Sequence, residues 1–343
     1  MRPLTLRVPS GICRIRFVEP PLRLEAHCPR TRSLLITDRR VYGLHRRFFA
    51  DRNVVFVGRG EARKTLSMVK SLFGRFLRAS VDRETTLVAV GGGIVGDVAG
   101  LAAARYLRGL KLVLVPTTLL AQVDASVGGK NGVNLDRFKN LIGTIRQPDL
   151  VLIDPGFLNT LPPREIRNGL AEVVKSAAIG DAGMFRYLER NSGRALALDP
   201  VVIPSLIGRS LRIKIRIVES DERESGPRRL LNFGHTLGHA LERTGPIDHG
   251  AAVSIGMCAA ARISARLGFI PEAEADRLVR LLRSLGLPTS AAGAARRALE
   301  FLDRDKKRSG EAIRFILPRG EMGQAVVLPI PMDALKEHLR AVC

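Results

Sequence analysis

The first half of the chain alternates short, unbroken apolar runs with longer stretches of mixed polarity. The runs are SLLITD from Ser33, NVVFVG from Asn53, TTLVAVGGG from Thr85, LKLVLVP from Leu110 and DLVLID from Asp149. Runs this short and this rich in β-branched residues suit strands covered on both faces, and their alternation with helical stretches predicts a parallel sheet of the α/β kind. Beyond about residue 154 the spacing becomes helical: REIRNGLAEVVKSAAI, VIPSLIGRSLRIKIRIV and AAVSIGMCAAARISARLG repeat their apolar positions along one face. A late pair, AIRFILP and QAVVLP, flanks PRGEMG and predicts a small hairpin. The expected architecture is a Rossmann-like parallel-sheet domain over residues 1–158, followed by a mainly helical domain over residues 159–343. A length of 343 residues suits two domains.

Composition changes this picture little. Hydrophobic residues make up 45% and charged residues 26%, so neither half is expected to be disordered. The longest apolar stretches, such as LVLVPTTLLA, fall short of the roughly 18 to 20 residues that span a bilayer, and the start carries no continuous apolar segment of the secretory kind. A cytoplasmic protein without membrane contact is expected. Cys13, Cys28, Cys258 and Cys343 are scattered with no metal-ligand spacing, and read as free thiols. The net charge of +22 raises a nucleic-acid partner, but the basic residues run along the whole chain and no aromatic-interleaved signature accompanies them. A general arginine bias is the preferred reading. Such a field also attracts small anionic substrates.

Three stretches carry candidate chemistry. The first, GGGIVGDVAG at residues 91–100, follows a strand and opens a helix. Glycines there let the backbone approach a pyrophosphate whose charge meets free N–H groups, although tight strand–helix packing asks for the same residues. Asp38, ending the first run, is either a ribose-hydroxyl acceptor or a helix N-cap. The second, PTTLLAQVDASVGGKNGVN followed by FKNLIG, places Asp124, Lys130, Lys139 and Asn140 in what reads as a loop beyond a strand's carboxyl end. Lysine and amide donors suit a phosphorylated substrate, and solvated loop lysines are the plain alternative. The third, NFGHTLGHALERTGPIDH at residues 232–249, holds three of the six histidines. His235 and His239 share a helical face, and a Gly-Pro turn can return His249 to it. Glu172 in GLAEVVK is a further donor, because an unpaired carboxylate in an apolar helix is costly, unless Lys175 one turn on pairs with it. A metal site is expected; spacing leaves open which histidines ligate.

Taken together, GGGIVGDVAG, PTTLLAQVDASVGGK, KNLIG, LPPREIRNGLAEVVK, DERESGPRRLLNFGHTLGHALE and HGAAVSIGM closely resemble the 3-dehydroquinate synthases, within the sugar-phosphate cyclases, over residues 34–318. The resemblance implies an NAD-binding α/β domain, a helical metal-binding domain, a site in the cleft between them and a homodimer. It implies that zinc or cobalt is held by Glu172, His235 and His249, leaving His239 near the substrate as a catalytic or orienting group beside Lys130, Asn140 and Lys175. Substrate contacts are expected from Asp124, Lys130, Asn140, Lys175, Lys214, Arg228, Asn232, His239 and Lys306, with Arg108 reaching across the dimer. NAD contacts are expected from Asp38, Glu61, Lys64, Gly92, Gly93, Asp97, Thr117, Thr118, Lys139, Phe157 and Thr160, with helix capping as the alternative for Thr117 and Thr118.

The implied reaction turns 3-deoxy-D-arabino-heptulosonate 7-phosphate into 3-dehydroquinate and phosphate, with transient oxidation by NAD, elimination, reduction and an aldol closure. It would place the enzyme in the shikimate pathway of aromatic amino acid biosynthesis. The chain departs from the family's usual residues at Asn131, Phe138 and Ala251, and the first two flank the expected phosphate loop. Another sugar-phosphate cyclase, an NAD-dependent polyol dehydrogenase and a nucleic-acid-binding protein are the competing readings. Arg228 with Lys214 is the expected mark of a carboxylate-bearing substrate.

Overall fold

The computed structural model describes residues 2–136, 138–290 and 312–342. It opens on a hairpin of β1 (Leu4–Val8) and β2 (Gly11–Phe17), whose partial alternation the apolar-run reading passes over. All five apolar runs are strands: β3 (Ser33–Asp38), β4 (Val54–Val57), β5 (Thr86–Gly91), β6 (Lys111–Pro116) and β9 (Leu150–Ile153). With the opening hairpin they form one seven-stranded sheet in the order β1-β2-β9-β6-β5-β3-β4, parallel at every pairing except β1 with β2. Helices α1 (Arg39–Leu44), α2 (Leu66–Arg78) and α3 (Gly93–Arg105) join the central strands. Leu35, Val88, Val90, Val113, Val115 and Leu152 from these strands pack with Leu22, Leu24, Phe49 and Phe157 into one buried cluster.

From β3 the chain moves outward to β4, then crosses back to β5 and on to β6. The direction of winding therefore reverses between β3 and β5. In open parallel sheets the crevice beyond the strand ends at such a reversal is where ligands sit. Asp38 and residues 91–93 stand at these two strand ends.

The stretch after β6 is not the loop its sequence suggests. A π-helical turn, Ala121–Ala125, leads into a second hairpin of β7 (Lys130–Leu135) and β8 (Phe138–Ile145). Its signal is hidden because β8 is mostly exposed and β7 buries glycine and asparagine beside valine, so neither strand shows an apolar run.

The chain divides into two units, one of Met1–Pro162 with Lys214–Glu222 and one of Pro163–Ile213 with Arg223–Cys343. The second is mainly helical, with α4 (Pro163–Gly180), α5 (Ala182–Leu196), most of α6 (Val202–Ser220), α7 (His235–Glu242), α8 (His249–Arg266) and α9 (Glu272–Ser284). The expected late hairpin is β10 (Ala312–Pro318) with β11 (Ala325–Pro331), before a last helix, Met332–Val342. No described helix is long and apolar enough to cross a membrane.

Candidate dinucleotide site and metal centre

Within the first unit, α3 begins at Gly92 with no side chain capping its free N–H groups. A Cβ on Gly92 would lie 3.1 Å from Thr118 Cγ2, so this turn is drawn tight against the segment after β6. Bare amides at the head of a helix, beside backbone with no side chain over it, form a seat for a pyrophosphate. The residues present fit a dinucleotide.

Asp38 takes its capping role: its Oδ1 accepts from the amides of Arg40 and Val41 at 2.8 and 3.0 Å, at the head of α1. Thr118 likewise accepts from the amide of Ala121 at 3.2 Å. Thr117 is buried, its amide bonded to Gly91 O. Lys64 is buried and joins several expected contacts: it pairs with Asp97 one turn into α3 and donates to Asn140 Oδ1 at 2.5 Å. Burial pushes the Asp97 carboxyl up, with Lys64 opposing. Asn134 completes the set by donating to Glu61 Oε1 at 2.8 Å and accepting the Asn140 amide at 2.8 Å. Asn134 escaped the sequence reading because an asparagine in NGVN reads as turn chemistry. Phe157 belongs to the buried cluster, and the Thr160 hydroxyl donates to its carbonyl at 3.0 Å.

Lys214, in the last turns of α6, pairs with Asp124 in this same unit and donates to its carbonyl at 2.6 Å. These two expected substrate contacts therefore hold each other. Lys130 and Lys139 are exposed on the β7–β8 hairpin rather than on a loop, and Arg108 is exposed at positive φ in the turn after α3. Asn131 is buried, its side chain turned to its own backbone. Its amide donates to the carbonyls of Gly129 and Arg146 at 2.8 and 2.9 Å, and its Oδ1 lies where a Cβ of Gly100 would be. Phe138 begins β8, paired with Leu135 across the hairpin end.

In the second unit, glycines set how closely three helices approach. A Cβ on Gly250 would meet Asn168 Cα of α4 at 2.5 Å, and one on Gly256 would meet Gly234 O at 1.9 Å. Gly234 itself, at φ +78°, turns the chain into α7. This packing brings α4 and the starts of α7 and α8 together, so that donor atoms of Glu172, His235 and His249 lie within 4.8 Å of one another. Glu172 Oε1 is 3.0 Å from His249 Nε2 and 3.6 Å from His235 Nε2. The other ring nitrogens are held from outside, His235 Nδ1 by Phe233 O at 3.1 Å and His249 Nδ1 by Glu242 Oε1 at 2.7 Å. One carboxylate and two imidazoles, with Nε2 turned inward and Nδ1 anchored, fit a divalent metal such as zinc or cobalt.

Lys175 pairs with Glu172, both almost fully buried, so the ion-pair reading and the cluster coexist. Burial opposes charge on Glu172, but Lys175, then His249 and His235, hold its carboxyl well below the usual range. Burial pushes His235 down to about 3 against the pull of Glu172. His249 goes the other way: its carboxylate partners Glu172 and Glu242 overcome burial and lift it to about 10. His239 is exposed, its ring edge-on to that of His235 with centroids 5.2 Å apart. Arg228 is buried and Asn232 donates to Glu224 Oε1 at 2.5 Å, both in the Pro227–Asn232 turn before α7. Lys306 lies outside the described residues. Glu242 was missed by the sequence reading, although a glutamate closing the apolar face of LGHALE was its signal.

Family models for the N-terminal and C-terminal domains of 3-dehydroquinate synthase match residues 54–168 and 169–308. The chain is 45% identical over 331 residues to the 3-dehydroquinate synthase of Symbiobacterium thermophilum, covering 92% of each chain. Among solved structures, a 2-deoxy-scyllo-inosose synthase complexed with carbaglucose-6-phosphate, NAD+ and Co2+ superposes with a TM-score of 0.87 at 28% identity, over 100% of both chains. A 2-epi-5-epi-valiolone synthase from Streptomyces hygroscopicus with NAD+ and Zn2+ bound gives 0.85 at 29% identity, over 96% of both. With both halves matched in order, the chain belongs to the 3-dehydroquinate synthase family.

Proposed function

We propose that the chain is a 3-dehydroquinate synthase, a phosphate-eliminating lyase that converts 3-deoxy-D-arabino-heptulosonate 7-phosphate into 3-dehydroquinate and phosphate in the shikimate pathway. The observation that carries the reading is the convergence of Glu172, His235 and His249, in a chain 45% identical to such a synthase across nearly its whole length. When bound, NAD supplies a hydride acceptor and donor, and zinc or cobalt polarises the oxygen it holds.

In this reading Glu172, His235 and His249 hold the metal, and the amides at Gly92 and Gly93 receive the pyrophosphate of the dinucleotide. Asp38, Glu61, Lys64, Asp97, Thr117, Thr118, Lys139, Phe157 and Thr160 line the rest of its path. Lys130, Asn140, Lys175, Lys214, Arg228, Asn232 and Lys306 meet the substrate's phosphate and carboxylate, and Asp124 keeps Lys214 in place. His239, exposed beside His235, moves a proton at the substrate. Arg108 completes the site across a homodimer in the cytoplasm. Another sugar-phosphate cyclase activity is the weaker reading. The buried Arg228 and the Asp124–Lys214 pair support a carboxylate-bearing substrate.

The deciding experiment supplies 3-deoxy-D-arabino-heptulosonate 7-phosphate to the purified protein with NAD and zinc, then repeats the assay after chelation. Phosphate release that stops on chelation, with 3-dehydroquinate formed, is expected. No release from folded, metal-loaded protein would overturn the assignment and turn attention to phosphorylated sugars without a carboxylate.

A further inference from the structure

Beside Asp38, at the outer edge of the sheet, lies an open cavity of about 660 Å³. Its lining includes Arg39, the first residue of α1, Arg59 and Arg63 from the segment after β4, and Arg75 of α2. No carboxylate is among its lining residues. Arg75 is engaged, donating to Phe56 O at the sheet edge. Arg39 is laid over the Phe56 ring, 5.0 Å from its centroid, which steadies the guanidinium while leaving its edge N–H groups for a ligand. The stem of Arg63 rests on Gly58: a Cβ there would meet Arg63 Cγ at 2.6 Å, so the glycine is what allows that arginine to lie across the end of β4. Arg39, Arg59 and Arg63 make no ion pair among the described residues. Four guanidinium side chains with no acidic neighbour in the lining form a seat for a dianion.

The position of the cavity says which dianion. It begins one residue after Asp38 and takes in Arg63, which stands between Glu61 and Lys64. Asp38 is the residue expected at the ribose of a dinucleotide, and Glu61 and Lys64 are expected NAD contacts. In dinucleotide-binding sheets an acidic residue hydrogen-bonds the free ribose 2′-hydroxyl, and a nearby arginine accommodates a 2′-phosphate; Asp38 ends β3, the neighbour of the strand that leads into the glycine-rich turn. Here the acidic residue has one oxygen turned back to cap α1, and an arginine follows it directly.

We propose that this arginine-lined cavity receives the 2′-phosphate of an adenine dinucleotide, so that the chain binds NADP as well as NAD. The proposal rests on the reading that the reversal point between β3 and β5 holds a dinucleotide. Phosphate in the cavity is met by Arg39 and Arg63 as charge-assisted donors, with Arg59 adding to the field. The retained Asp38 keeps NAD itself an acceptable ligand.

Titration calorimetry on protein freed of bound dinucleotide, at fixed ionic strength, tests this with 5′-AMP, 2′,5′-ADP, NAD and NADP. The expected result is 2′,5′-ADP binding about tenfold tighter than 5′-AMP, the order of one charge-assisted hydrogen bond. NAD should displace it. Replacing Arg39 and Arg63 together by alanine should abolish that advantage while 5′-AMP binding and the circular dichroism spectrum stay unchanged. Equal or weaker binding of 2′,5′-ADP in the unmodified chain, with 5′-AMP and NAD still bound, overturns the proposal and leaves the dinucleotide reading intact. Binding of 2′,5′-ADP that NAD does not displace also overturns it. If neither 5′-AMP nor NAD binds, the dinucleotide reading falls and takes the proposal with it.

Discussion

His249 is held from two sides, by Glu172 at Nε2 and by Glu242 at Nδ1. The outer bond fixes which nitrogen faces the cluster, and outer partners of this kind commonly tune metal affinity. Glu242→Ala should therefore weaken zinc binding about ten- to a hundredfold in a chelator competition. Glu242→Gln, which keeps an acceptor oxygen, should lose less. Equal affinities for all three proteins would remove Glu242 from the metal centre. Among the thiols, burial pushes Cys13 up to about 12 and Cys28 to about 11, and both are closed off from solvent. Reactivity belongs to the thiolate, so a thiol reagent at mildly alkaline pH should leave both unlabelled until denaturant is added. Rapid labelling of either in the folded protein would contradict their burial. At this scale the sequence was most informative where costs are high: a glutamate in the apolar face of α4 had to find partners, and it has three. It was least informative for Asn131, because an asparagine pattern carries no sign of whether the amide faces a ligand or its own backbone.

Elements follow the same logic with backbone in place of side chains. The start of α7 is locked to α8 at Gly256, where an added Cβ would come within 1.9 Å of Gly234 O. A backbone oxygen cannot swing aside, so Gly256→Ala should cost about 3 kcal/mol and loosen metal binding, because His235 follows Gly234 directly. Thermal unfolding with and without zinc would read both effects, and an unchanged transition would rule out the close packing. Gly100→Ala, on α3, meets Asn131 Oδ1 instead. Moving that side chain would strip the Arg146 carbonyl of its Asn131 donor and leave the Gly129 carbonyl with the Arg146 amide alone. A loss of about 1–3 kcal/mol is expected in denaturant unfolding, without loss of metal. The five parallel strands β3, β4, β5, β6 and β9 were legible because each writes an unbroken apolar run, whereas β1 and β2 were not. The β7–β8 hairpin was not, since one strand is largely solvated and the other buries residues that also make turns.

For the whole molecule, ligand binding is tied to protons and to stability. His249 has its pKa lifted to about 10 by Glu172 and Glu242, whereas a metal ligand must be neutral. Zinc uptake near pH 7 should therefore release about one proton per ion, visible with an indicator dye in weak buffer. His235, held near 3, is already neutral there and should contribute none. The raised value also stabilises the fold in the absence of metal, fully below the ordinary histidine pKa and less as pH climbs through 10. Zinc binding without proton release would contradict this account of the cluster.

The sequence alone reached the α/β class, the order of a sheet domain before a helical one, the five apolar-run strands with the late hairpin, and the family. These rest on periodicity and on motifs whose order along the chain is itself the information. Through that resemblance it also named Glu172, His235 and His249 together, while spacing left the choice among three histidines open. Tertiary packing settled the rest. Glycines at positions 250 and 256 let α4, α7 and α8 approach until donor atoms of Glu172, His235 and His249 lie within 4.8 Å of one another. Asp38 turned its oxygen to cap α1, Asn134 and Glu242 entered as supports, and arginines from α1, the segment after β4 and α2 came to face one cavity. Such facts depend on distances between segments far apart in the chain, and no local pattern encodes those distances.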